Sequence, residues 1–395
     1  MSNLQDDGWD LADLKYIAFS QSEGETYLLE KGDILFNRTN SKELVGKCEV
    51  FREDGHWVFA SYLVRVRVSP TDADPQFIAD FLNTRAGRIQ IDRVSRQIIG
   101  MTNINAQEIR DLVVPLPPLD VQCVLVSEMD AARASRKAKL AEAGALLSGL
   151  DAFLLDQLGL TPPKPDGRLL YAVRLADVRR ERFDPHYYHP QFRDLERLLL
   201  EVPNKPLGDI IAASNEQRIP NDLAHEIFRY IEIGGVDCRT GEVSVSIVPS
   251  KEAPSRARMV VREDDLIVSL TRPHHGSIAL IDNRLDGCIA STGFSILRDS
   301  KDSSIKRPYL LAILRSQLCL PQMLQRSSGG NYPAVTEPEL MQVLIPTPDS
   351  DTQDRIVEEQ SRRHQEARRL RDEARRLRDE AKARFEAQLL GGEPV

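Results

Sequence analysis

Nowhere in the 395 residues does an apolar run approach the roughly 20 residues that cross a bilayer. The start, Met1-Ser2-Asn3-Leu4-Gln5-Asp6-Asp7, carries neither the basic nor the apolar segment of a secretory leader. A cytoplasmic chain without a membrane partner is expected. Cysteine is scarce: Cys48, Cys123, Cys238, Cys288 and Cys319 are odd in number, scattered and without a C-x-x-C pair, which argues against a disulfide frame or a zinc site. Positive excess is also lacking. The 52 Lys and Arg stand against 60 Asp and Glu, a net charge of −8, so any phosphate-bearing partner must meet a face whose charge differs from the average. Catalytic signatures are missing too: no G-x-x-x-x-G-K-[ST], no G-x-G-x-x-G opening a helix after a strand, and no H-E-x-x-H. The double prolines, Pro117-Pro118 and Pro162-Pro163, lack the preceding Asn or Asp and following aromatic of amino-methyltransferases. A carboxylate–carboxylate–Lys trio could be drawn from any chain this charged. A non-catalytic protein is expected.

What the chain has is repetition. Pro115-Leu-Pro-Pro-Leu-Asp-Val-Gln122 is answered by Pro346-Thr-Pro-Asp-Ser-Asp-Thr-Gln353, with the glutamines 231 residues apart. Gly32-Asp33-Ile34-Leu35 is answered by Asp264-Asp265-Leu266-Ile267, Ala60-Ser61 by Ala290-Ser291, and Phe77–Leu82 by Tyr309–Leu314. A solenoid unit runs to only about 20–50 residues, so the period implies two copies of a whole domain. With 41% apolar and 28% charged residues, the length suffices for two or three globular domains.

The first copy is β-rich, with strand-prone runs at Tyr27–Leu29, Asp33–Phe36, Cys48–Phe51 and Tyr62–Val68. Asp74-Pro75 opens a helix that faces Phe77, Ile78, Phe81 and Leu82 one way. Val113-Val114 reads as a terminal strand stopped by Pro115. From Asp120 to Leu158 the spacing turns helical, with Val126, Met129, Arg133, Arg136, Leu140, Ala143, Leu147, Leu150 and Leu154 along a heptad seam. Thr161–Gly167 reads as a linker. The second copy has strand candidates at Arg229–Ile233, Leu266–Leu270 and Ser277–Ile281. Then Glu366-Ala-Arg-Arg-Leu-Arg-Asp372 repeats as Glu373-Ala-Arg-Arg-Leu-Arg-Asp379 in a second long helix, with Ala367, Leu370, Ala374, Leu377 and Ala381 on one seam. Two helices of about 35–40 residues, each roughly 55 Å long, bury both seams if they pack antiparallel. Alone, either would be a solvated helix lying on its own domain.

Two loop types carry binding potential. Asn37-Arg38-Thr39-Asn40-Ser41-Lys42 strings donors without apolar anchors and is expected to be exposed; Thr271-Arg272-Pro273-His274-His275-Gly276 is its counterpart. Arg can read a guanine edge bidentately and Asn an adenine, while Lys or Ser holds phosphate. The second type precedes the last strand of each copy: Arg93–Asn103, with Arg96, Thr102 and Asn103, and Gln325–Tyr332, with Arg326, Ser328, Asn331 and Tyr332. Its glycines free backbone N–H groups for phosphate. A polar hairpin or an ordinary helix-to-strand turn competes with each reading. Asp184-Pro-His186-Tyr-Tyr-His189 could offer two metal ligands, but no second cluster completes a shell; an aromatic plug is the alternative, and no metal is expected.

Gly32-Asp33-Ile34-Leu35-Phe36-Asn37-Arg38-Thr39-Asn40-Ser41 with Glu43-Leu44-Val45-Gly46-Lys47 resembles the first target-recognition domain of type I restriction-modification specificity subunits. So do Asp7–Leu11, Asp13–Ile17 and Asn103-Ile104-Asn105 leading to Pro115–Pro118 and Gln122. The second half is similar but looser, through Arg182-Phe-Asp-Pro-His-Tyr-Tyr188 and Pro333-Ala-Val335. The resemblance implies an α/β (α+β) chain: target-recognition domains at 1–119 and 186–350, helices at 120–160 and 351–391, and a linker at 161–185. The two long antiparallel helices would form a coiled coil separating the domains. It further implies double-stranded DNA as partner, each domain reading one half of a split target. Two methylation (M) subunits would dock on the helices and restriction (R) subunits would join them. S-adenosylmethionine, ATP and Mg are then expected on the partners, not on this chain. The second copy opens with Lys205–Ile210 and continues to Tyr230-Ile231 before reaching the level of Met1, so the first domain is expected to be shortened and less stable, or completed by another chain. The alternatives are a subunit of another phage-defence methylation system, a coiled-coil scaffold that touches no DNA, and an enzyme with an unrecognised site.

Overall fold

The computed structural model describes all residues except 1, 2, 6, 7, 12, 13, 19–26, 43, 99, 100, 165, 166, 179–181, 221–226 and 392–395. Expectations resting on Asp7, Asp13, Glu43, Ile99 and Gly100 therefore fall outside the described residues. Two compact units emerge: unit 1 is Met1–Ala143 with Arg369–Val395, and unit 2 is Gly144–Arg368.

In unit 1, β1 (Leu4–Gln5) and β2 (Gly8–Trp9) form a short antiparallel pair. β3 (Ile34–Asn37), β5 (Cys48–Val50) and β6 (Leu63–Val66) make the central antiparallel sheet, in the order β5-β3-β6, while β4 (Thr39–Asn40) leaves it. α1 (Pro75–Leu82) begins where the Asp74 side chain accepts the Gln76 and Phe77 backbone N–H groups and Pro75 fixes the first turn. Phe77, Ile78, Phe81 and Leu82 pack beneath the sheet. α2 (Arg85–Val94), β7 (Arg96–Ile98), β8 (Met101–Asn103) and α3 (Ala106–Arg110) follow. The early turns of α4 (Leu119–Ser148) and the late turns of the C-terminal helix (Ser350–Leu390) complete this core with Leu125, Met129, Ala381 and Phe385. The Phe77 and Phe385 rings lie 5.4 Å apart. Gln388 donates to Glu128 at 3.3 Å and Lys139 meets Glu373 at 2.6 Å. Numbers rise on one helix as they fall on the other, so the segments run antiparallel within this unit.

Unit 2 contains α5 (Leu150–Leu158), α6 (Pro190–Leu200), β9 (Asn204–Pro206), α7 (Leu207–Ile210) and β10 (Ile211–Ala213). Strands β11 (Ile227–Ile231), β12 (Ser246–Pro249), β13 (Ala257–Val260), β14 (Leu266–Ser269), β15 (Ile278–Leu280), β16 (Ile289–Ser291) and β17 (Phe294–Ser300) come next. They form two four-stranded sheets, β10-β17-β14-β15 and β12-β11-β16-β13. α8 (Arg307–Leu314), α9 (Leu320–Arg326), α10 (Glu337–Leu340) and β18 (Leu344–Pro346), which pairs with β9, lead into α11 (Ser350–Leu390). Here too the helices run antiparallel: Arg355 donates to Gln157 at 2.9 Å, and the Arg363 guanidinium lies over Phe153 at 5.4 Å.

The repeat holds at the level of single hydrogen bonds. In unit 1 the buried Gln122 amide accepts from Asp74 N–H at 2.9 Å and donates to the Asp72 and Pro117 carbonyls at 3.3 and 2.8 Å. In unit 2 Gln353 accepts from Lys306 N–H and donates to the Ser304 and Pro348 carbonyls, each at 3.0 Å. Asp33 accepts the Glu30 N–H and a fork from Arg67; Asp265 accepts the Arg262 N–H and a fork from Arg298. These charge-assisted bonds hold both arginines above their ordinary pKa. The Gln90 amide brackets the Val113 backbone as Gln322 brackets that of Leu344.

Some expectations fail. Val113-Val114 is not a strand: its counterpart β18 exists by pairing with β9, and among the described residues of unit 1 no strand occupies that place. Tyr27–Leu29 supplies one bridge, Leu28 to Val58, where unit 2 has the β13–β16 pair. Leu140 is 38% exposed instead of buried in the seam, while its neighbour Lys139 faces Glu373. Gly149 separates α4 from α5, but its N–H still bonds to Ala145 and its carbonyl to Phe153. A Cβ there would come within 2.8 Å of the Arg363 guanidinium.

Candidate nucleic-acid interface

Each unit joins its two donor-rich loops by backbone pairing. In unit 1 the chain leaves the central sheet after Asn37, and Thr39 and Asn40 pair with Asn103 and Thr102; β8 then pairs with β7, giving the order β4-β8-β7. Unit 2 repeats this at matching positions through single bridges, Thr271 to Ala334 and Ser328 to Ala334. Ile104 N–H donates to the Arg38 carbonyl and Val335 N–H to the Leu270 carbonyl, both at 2.9 Å. Sequence reasoning named the loops but missed this pin. The signal was available, because Thr39 and Thr271 keep the offset of the other repeats.

Individual residues separate into presented and structural. In unit 1 Lys42 and Arg96 are exposed, and Arg38, Asn40 and Asn103 are half-buried. Arg96 pairs with Glu108 at 3.1 Å with its side chain still 76% exposed. Asn37 is a correction: it closes β3, is buried, and exchanges backbone bonds with Lys47 and Gly46. Thr102 is likewise buried in the middle strand of its sheet.

In unit 2 Ser328, Asn331, Tyr332 and His275 are exposed. Arg272 adopts a left-handed backbone (φ 47°, ψ 51°), a conformation that costs a non-glycine residue about 1–2 kcal/mol. The turn lays its guanidinium over the Tyr332 ring at 4.2 Å and lets it donate to the Asn331 carbonyl at 3.0 Å. Gly329, at φ 100°, allows the loop to fold back; a Cβ there would lie 3.1 Å from the Tyr332 carbonyl. Arg326 is a second correction. It is buried in the last turn of α9, donating to the Gln322 and Gln342 carbonyls and to Gln325 Oε1. Its charge thus serves the packing of α9. His274 is half-buried with its ring edge-on to His275 at 4.6 Å, and burial holds its pKa below the ordinary histidine value. It is therefore uncharged near neutral pH.

His186 and His189 both make local contacts. His189 Nδ1 accepts the Gln191 N–H at 3.4 Å, Nε2 lies 3.1 Å from the Arg168 carbonyl, and both rings pack edge-on against Phe192. Among the described residues no group of three or more His, Cys, Asp or Glu is placed to hold a metal ion, and no helix is long and apolar enough to cross a membrane.

The fold and these loops define a duplicated chain of mixed helix and strand with two like, donor-rich surfaces. No family model matches it. It is similar to the EcoKI specificity subunit of Escherichia coli (30% identity, 31% of this chain and 26% of that one). It is also similar to the HindI specificity subunit of Haemophilus influenzae (27% identity, 27% and 24%) and to a putative MjaX specificity subunit of Methanocaldococcus jannaschii (24% identity, 31% and 29%). The match thus spans about a quarter of the length of these relatives. Among solved structures, an HsdS subunit from Thermoanaerobacter tengcongensis is 36% identical over 44% of this chain and 45% of that one (TM-score 0.37). A chain of a type I R-M system is 18% identical over 92% and 81% (TM-score 0.49), and an S subunit from M. genitalium 13% over 91% and 84% (TM-score 0.38). Over part of its length the chain is similar to type I restriction enzyme specificity subunits.

Proposed function

We propose that this chain is a non-catalytic DNA-reading subunit that recognises a split duplex target, one half per repeat. The observation that carries the reading is the shared pin: both repeats use the same backbone pairing to bring two donor-rich loops together. Arg38, Asn40, Lys42, Arg96 and Asn103 would face one half; Arg272, His275, Ser328, Asn331 and Tyr332 would face the other. The Arg272–Tyr332 stack supplies a planar cation and an aromatic face, which suits base edges and phosphates alike.

In this reading the recognition domains occupy 1–119 and 186–350, and the linker 161–185 leads from the first long helix into the second domain. The helices 120–160 and 351–391 form an antiparallel coiled coil that keeps the halves at a set distance. The antiparallel contacts within each unit support that arrangement. Two methylation subunits dock on the helices, where Val121 and Val124 leave apolar surface exposed, and restriction subunits join the complex. S-adenosylmethionine, ATP and Mg are bound by those partners.

Duplex binding measured against salt tests the reading. A reader of phosphates and bases loses affinity steeply as salt rises, with a log–log slope of about −0.9 per phosphate contacted. A chain that shows no duplex binding at low salt, alone or with its methylation partner, is a scaffold instead.

A further inference from the structure

The segment Arg182–Tyr188 stands apart from the loops, yet its polar groups converge on the place where one of them begins. Arg182 lies on the chain entering unit 2, with its side chain 12% exposed. It donates to the Arg326 carbonyl at 2.8 Å, the Ser327 carbonyl at 3.1 Å and the Gln325 carbonyl at 3.5 Å. Gln325 and Arg326 end α9 and Ser327 caps it, so these carbonyls lie at the negative end of the helix. The grip is itself braced. The guanidinium lies over the Tyr187 ring at 4.6 Å, and Nε pairs with Asp184 at 3.0 Å. Asp184 accepts the Tyr187 N–H, Tyr188 donates its hydroxyl to the Arg182 carbonyl, and Gln325 donates to the Tyr187 carbonyl.

We propose that Arg182 is a positioning residue for sequence reading by unit 2, setting the direction in which Ser328–Tyr332 leaves α9. This rests on the reading of that loop as DNA-facing. Downstream, the loop is fixed by the paired backbone of Ser328 and Ala334 and by the Arg272 bond to Asn331. Upstream, its path is set by the end of α9, and that end is what Arg182 clamps. α9 also packs on the Pro273–His275 turn. Movement of this one helix end would therefore shift both loops of the unit together. Lysine cannot replace the arginine, because one ammonium neither forks across three carbonyls nor stacks flat on a ring.

The test compares wild type, R182A, R182K and R272A, each as the full chain with its methylation partner, by sequencing the methylated sites in the host genome. R182A and R182K are expected to relax the half of the target that R272A relaxes, by about ten- to hundredfold in base preference, and to leave the other half intact. If R272A relaxes one half while both Arg182 variants read like wild type, the clamp is overturned and DNA reading by the loop stands. If R272A also changes nothing, the reading beneath it falls too. An equal loss at both halves with unchanged base preference marks a merely structural role and overturns the proposal. Should R182A fail to accumulate, hydrogen exchange on R182K decides. Ser328–Asn331 amides exchanging about tenfold faster, with β14 and β17 unchanged, support the clamp; exchange at the wild-type rate overturns it.

Discussion

Arg272 and Arg326 carry the same charge and lie near the same loop of unit 2, yet burial gives them opposite roles. Arg272 to Ala is expected to leave thermal stability nearly unchanged and to cost about 1–3 kcal/mol of base discrimination in one half-site, read from the methylated sites. Arg326 to Ala removes donors from the Gln322 and Gln342 carbonyls and from Gln325. It should lower unfolding stability by about 2–4 kcal/mol, measured by denaturation. Asp80 poses the pH question. It is buried in unit 1 beside Arg133 and Gln76, and burial raises its pKa from 3.8 to about 6. A raised folded value means that the native state holds the proton more tightly. The resulting stability is fully present below pH 4 and is lost as pH rises through about 6. Asp80 to Asn, which cannot ionise, should therefore gain on wild type between pH 5 and pH 7.5. Melting temperatures across that range check it, and a constant difference would contradict it.

The glutamines at the helix starts act at the level of whole elements. Gln122 and Gln353 each tie the start of a long helix to the cap region of a shorter one through two bonds, and to the proline carbonyl before their own helix through a third. Replacing either with Ala strands buried donors and acceptors, at a cost of about 2–4 kcal/mol. Hydrogen exchange should show the loosening confined to the unit that carries the change. These residues also mark how much the sequence disclosed. The repeat, the Asp74 cap and most of both seams were legible because period and capping chemistry are local. Asn37, Thr102 and Arg326 were misread as presented donors because polar side chains look alike in sequence whether buried or exposed. Their burial is set by strand pairing and by the packing of α9, contacts between residues distant in the chain. Val113-Val114 misled for the same reason: a strand requires a partner, and the partner lies elsewhere.

For the molecule as a whole, the proposal makes the long helices a ruler. A heptad inserted at matched levels of both, near Lys139 and Glu373, preserves the seam and adds about 10 Å. It should change the gap between the half-sites and leave the bases read within each half as they were. Salt-dependent binding of a single half-site should survive the insertion. The most direct measurement is the set of methylated sites in cells carrying the chain with its methylation partner, for wild type, Arg38 to Ala and Arg272 to Ala. A target split by a fixed gap is predicted, with the Arg38 variant relaxing one half and the Arg272 variant the other. A contiguous target, or both variants relaxing the same half, would contradict the division of reading between the two repeats.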